Sequence, residues 1–78
     1  MILKELDQVV VTRSRPGSGL RRGDLGVVVA VYEGTDGLEV EFFRADGSTR
    51  AVITLSRKDV RRARRSEAVA VRSLRRSA

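Results

Sequence analysis

Cysteine, histidine and tryptophan are absent, proline occurs once, and the aromatic residues are Tyr32, Phe42 and Phe43 alone. Each gap excludes something. Without cysteine there is no disulfide, no thiolate metal site and no thiol nucleophile. Without histidine the chain lacks the side chain that titrates near neutral pH and the commonest metal ligand. No apolar run approaches the roughly 20 residues that span a bilayer. "MILKELDQVV" carries neither a long apolar stretch nor a small-residue cleavage site, so no signal peptide is expected. The expected location is the cytoplasm, with no membrane partner.

What remains is a short, valine-rich, arginine-rich chain. Seventy-eight residues allow one small domain. Charge is unevenly divided. Residues 1–60 carry nine Lys/Arg and nine Asp/Glu, whereas residues 61–78 carry seven Arg and only Glu67. The net charge of +6 therefore resides in the last segment. The expected organisation is a folded body over residues 1–62, neutral through residue 60, and a basic tail over 63–78, helical or disordered.

Hydrophobic periodicity is that of strands. Residues 7–13 alternate Val9 and Val11 against Gln8, Val10 and Thr12. "RSRPGSGLRRGDLG" holds the proline and four glycines and reads as a long loop. "VVVAVYE" is a β-branched second strand, Val27 to Glu33. "GTDG" is a turn, and "LEVEFF" then places Leu38, Val40 and Phe42 on one face and Glu39 and Glu41 on the other. "ADG" is a second hairpin turn. "TRAVITL" is a fourth strand with Ala51, Ile53 and Leu55 inward. "SRKD" is one helical turn, and Val60 opens a short fifth strand. Five short strands avoid open edges by curling, so the expected fold is all-β, a small five-stranded SH3-like barrel.

In "GLRRGDLG", Gly23 supplies a reversal and Gly26 lets the next strand coil. Asp24 is expected to accept a bond from a backbone N–H two residues on. The run Gly23, Asp24, Gly26, Val27 to Val31, a break and "LEVEF" resembles the KOW pattern. The layout from "KELDQVVVTR" to "SRKDVR", about residues 3–62, is similar to a family of short bacterial single-domain proteins of unknown function. That resemblance implies an SH3-like barrel, no catalytic residues and no established ligand. It also implies a role beside an operon partner such as a toxin or defence protein.

Chemistry-bearing patterns are few. "GSGLRRG" is one residue too long for a dinucleotide fingerprint and leads into a strand rather than a helix, and no G-K-[ST] follows. Glu39 and Glu41 sit on the solvent side and are expected to pair with Arg44 or Arg50. No loop has the acidic spacing of a calcium site, so no metal and no cofactor are expected. The chain is read as a non-enzymatic binding module. The leading partner is another protein, bound through an outer patch of Tyr32, Phe43, Val28 and Val52. The second reading is RNA or DNA binding, or an acidic partner, through Arg61, Arg62, Arg64, Arg65, Arg72, Arg75 and Arg76, with Arg21, Arg22, Arg44 and Arg50 assisting. Exposed barrel edges leave room for a homodimer.

Overall fold

A computed structural model describes residues 2–67. Its strands are β1 (Gln8–Val11), β2 (Leu25–Val31), β3 (Gly37–Phe43), β4 (Thr49–Ser56) and β5 (Val60–Arg62). Short 3-10 turns occupy Pro16–Ser18 and Arg57–Asp59. All pairings are antiparallel, in one sheet of order β4-β3-β2-β1-β5. The all-β, five-stranded expectation stands, and the strand order is compatible with an SH3-like barrel. The sheet wraps one core: Leu55 of β4 and Val60 of β5, from its two ends, pack in the same cluster as Val9, Val11, Val28, Val40 and Phe42.

Alternation explains β3 best. Leu38, Val40 and Phe42 are buried, and the residues between them are half-buried. Full burial of each such side chain contributes about 1.5–3 kcal/mol. β1 departs from simple alternation. Val10 points away from the main cluster, yet it is as buried as Val9 and Val11. Its cross-strand neighbours are Leu25 and Arg61. Val27, two ladder positions away opposite Gln8, is likewise buried outside the main cluster.

The turns are built as their residues require. In the β3–β4 hairpin Gly47 has φ +88°, and Asp46 Oδ1 accepts from the Ser48 N–H at 2.9 Å and its hydroxyl at 2.6 Å. Those two bonds hold the Asp46 carboxyl below its ordinary pKa. Between β2 and β3, the Thr35 hydroxyl donates to Tyr32 O at 2.9 Å and accepts from Gly37 N at 3.0 Å. The long β1–β2 loop is anchored by Leu20, which is buried in the core.

Gly26 is a site of close approach rather than only of coiling. It faces inward between Val9 and Phe42. A Cβ there would lie 2.6 Å from Val40 Cγ1 and 2.9 Å from the Glu41 carbonyl oxygen. Asp24 locks the preceding turn backwards, not forwards: its Oδ2 accepts from the Arg21 N–H, three residues earlier, at 2.9 Å. The hydrogen-bonded unit also continues beyond residue 62. Ala63 N donates to Gln8 O at 2.8 Å, and residues 65–67 are helical. The helix-or-disorder expectation for the rest of the tail falls on residues 68–78, outside the described residues.

Candidate functional site

The proposed apolar patch is only partly present. Tyr32 and Val52 are exposed, at 47% and 51%. Val28 is not on the surface: it is fully buried in the core cluster. The reason is a register shift in β2 between Val28 and Ala30, which changes the alternation and leaves Val29 exposed instead, at 38%. Phe43 is half-buried, because a second register shift separates it from Phe42 and pairs it with Thr49. It lines a shallow hollow with Asp24, Leu25 and Arg50.

The ladder places these residues on the outer face of β2, β3 and β4. Val52 stands opposite Glu41, and Thr54 opposite Glu39. Tyr32 lies beside Gly37, to whose carbonyl its N–H donates at 3.1 Å. A polar pair therefore stands between Tyr32 and Val52. The Thr54 hydroxyl donates to Glu39, and the Thr49 hydroxyl donates to Glu41 Oε2 at 2.6 Å. The expected pairing of these glutamates with Arg44 or Arg50 is replaced by threonine contacts. The Glu39 carboxylate near the Tyr32 hydroxyl raises the tyrosine pKa by favouring the protonated form.

Arginines divide into engaged and unengaged sets. Arg44 Nη1 donates to Thr49 O at 2.7 Å within its own hairpin. Arg50 Nη2 donates to Gly19 O at 2.7 Å, tying β4 to the long loop. Arg62 Nη2 donates to Ile2 O at 2.7 Å. Arg61 donates twice to the Glu67 carboxylate, at 3.0 Å each. Glu67 also accepts from Arg64 N at 2.7 Å, and the Arg61 guanidinium together with this N–H lowers its pKa to about 2. Arg21, Arg22, Arg64 and Arg65 form no salt bridge among the described residues. Arg72, Arg75 and Arg76 lie outside them.

Two of the unengaged guanidiniums converge. Arg22 and Arg64 line one groove of about 430 Å³ together with Arg61, Thr12, Val10 and Val11. Sequence patterning did not find this groove, since its walls come from the long loop, β1, β5 and the segment after β5. It also missed the ion pair between Arg15 and Asp59, 44 residues apart in the chain. Among the described residues no group of three or more acidic, cysteine or histidine side chains could hold a metal ion. No helix among them is long and apolar enough to cross a membrane.

A family model described as "Domain of unknown function (DUF4926)" matches residues 5–62, which span all five strands. The chain belongs to the DUF4926 family. No curated protein matches it, and no solved structure does. The family match ends at the last strand of the DUF4926 domain, so Arg64, which lines the basic groove, and Glu67, which bonds Arg61 and the Arg64 N–H, lie just outside the matched segment.

Proposed function

We propose that this DUF4926 domain is a non-enzymatic binding module whose ligand is another protein. The carrying observation is the outer face of β2, β3 and β4, where Tyr32, Val29 and Val52 stand exposed around glutamates already tied to Thr49 and Thr54. Side chains held in place lose little freedom on docking, so such a face binds at low entropic cost. Exposed tyrosine is a favoured anchor in interfaces. The absence of histidine and cysteine supports a role without catalysis. The KOW-like pattern and the resemblance to short bacterial proteins extend the reading: the module restrains or neutralises an operon partner, such as a toxin or defence protein, in the cytoplasm.

The test is identification of the partner in native cells, followed by reconstitution of the pair from purified proteins. Tyr32→Ala combined with Val52→Ser should weaken the reconstituted complex at least about tenfold, the loss expected of a small hot spot. Unchanged affinity removes this face from the function.

A second reading rests on a different observation. Arg21, Arg22, Arg64 and Arg65 are basic side chains without acidic partners among the described residues. Nucleic-acid binding through them would fall steeply with salt. Removal of residues 68–78 separates their contribution from that of Arg72, Arg75 and Arg76. RNA or DNA affinity that does not change with ionic strength would reject this reading.

A further inference from the structure

We propose that the groove between Arg22 and Arg64 is a binding site for a phosphate monoester dianion, independent of the protein-docking face. The charge balance of its walls carries the argument. Three guanidiniums line the groove, contributed by the β1–β2 loop, β5 and the segment after β5. Arg61 is neutralised by its two bonds to Glu67. Glu67, its pKa lowered to about 2, stays ionised at all ordinary pH values, so that cancellation is permanent. Arg22 and Arg64 form no salt bridge among the described residues, and Glu67, the acid near Arg64, is already taken up by Arg61. Two positive charges are left over in one concavity.

The surroundings sharpen this imbalance. Val10, buried on the side of β1 away from the main core, supplies an apolar wall. Charge interactions next to an apolar wall are less screened than on an open surface. The Thr12 hydroxyl completes the lining, and its contact to Lys58 O is long, at 3.5 Å, leaving the O–H able to turn to a ligand oxygen. A phosphate monoester carries about −1.5 to −2 charges at neutral pH and three acceptor oxygens. Two guanidinium forks match that charge and geometry. A phosphodiester linkage, with one negative charge, would satisfy only half of it. At about 430 Å³ the groove lies within the range of small-molecule sites and leaves room for the alcohol that bears the phosphate.

The experiment is a titration of the full chain with inorganic phosphate at constant ionic strength, followed by backbone amide NMR. Saturable shifts centred on Thr12, Arg22, Gly23 and Arg64 are expected. Binding should weaken from pH 7.5 to pH 5.5, as phosphate becomes a monoanion with a second pKa of about 6. Arg22→Ala and Arg64→Ala should each weaken binding about tenfold or more, the value of a charge-assisted bond. Arg21→Ala and Arg65→Ala should leave it unchanged, and the same spectra report whether each variant is folded. A 5′-phosphorylated mononucleotide should bind at least as well as phosphate, and an oligonucleotide without a terminal phosphate should not compete. Absence of shifts, shifts spread over all arginines, equal losses in the control variants, or full competition by the diester would each overturn the assignment.

Discussion

Arg15 Nη1 donates to Asp59 Oδ2 at 2.7 Å, joining the long β1–β2 loop to the 3-10 turn before β5. Asp59 is the buried polar residue of the described chain, at 7% exposure, whereas the Arg15 side chain is about half exposed. Loss of the carboxylate removes a charge-assisted bond from a sheltered site. Asp59→Ala is expected to destabilise the fold by about 1.5–3 kcal/mol. Arg15→Ala should cost no less than its share of that bond, since it leaves Asp59 buried without its cation. Urea unfolding of both variants and the double mutant checks this; additive single losses would mean the two residues are uncoupled.

Gly26→Ala is expected to be more harmful than a normal glycine substitution in a strand. The new methyl group would meet Val40 Cγ1 and the Glu41 backbone, and backbone on the paired strand cannot step aside cheaply. A loss of about 1–3 kcal/mol is anticipated from overpacking. Thermal unfolding with no fall in midpoint would show that the sheet yields there.

Leu6 should yield a gain. It has φ +73°, a left-handed conformation, and its side chain is exposed. Leu6→Gly removes the steric penalty without emptying the core. A strain of about 1–2 kcal/mol is released, partly offset by the greater freedom of glycine in the unfolded chain. A net rise in stability is the expected reading by denaturant titration, and a loss would show that the Leu6 side chain contributes contacts of its own.

Asp24→Ala tests the turn that opens β2. Its carboxylate accepts from Arg21 N at 2.9 Å and lies 3.5 Å from Arg50 Nη1. A cost of about 1 kcal/mol is expected from the backbone bond. The more exposed ionic contact to Arg50 should add little, so raising the salt concentration should leave the difference between wild type and variant nearly unchanged.

Acid should loosen the segment after β5 before it unfolds the sheet. The folded-state pKa of Glu67 is lowered from 4.5 to about 2 by the Arg61 guanidinium and the Arg64 N–H. A lowered carboxylate pKa stabilises the folded state at pH values above 4.5, and that contribution disappears as the pH falls from 4.5 towards 2. Glu67→Gln should therefore be less stable than wild type at pH 7, with the gap closing below pH 4. A gap independent of pH would mean that the ionised form has no special role.

The sequence made the strands legible because alternation and glycine punctuation are local properties. Leu38, Val40 and Phe42 read inward and are inward. Parity was lost where the ladder slips. Nothing in "VVVAV" marks which valine occupies the irregular position, so Val28 and Val29 exchange the roles that alternation assigns. The partners of Glu39 and Glu41 were misread because charge suggests arginine, while the cross-strand neighbourhood offers threonine hydroxyls and backbone carbonyls hold Arg44 and Arg50. The groove of Arg22 and Arg64 and the pair of Arg15 and Asp59 depend on residues distant in the chain, and local pattern has no access to them.

The position of β1 between β2 and β5 has a consequence for how the chain is made. The earliest of the five strands to leave the ribosome occupies an interior place in the sheet. Its second edge waits for Val60–Arg62, after every other strand has been synthesised. Until then Val9, Val10 and Val11 form a ribbon with one row of amides and carbonyls unanswered. Completion of the sheet thus waits for the last strand, and the interval before it emerges is when a nascent chain is most open to capture by chaperones or by its own copies.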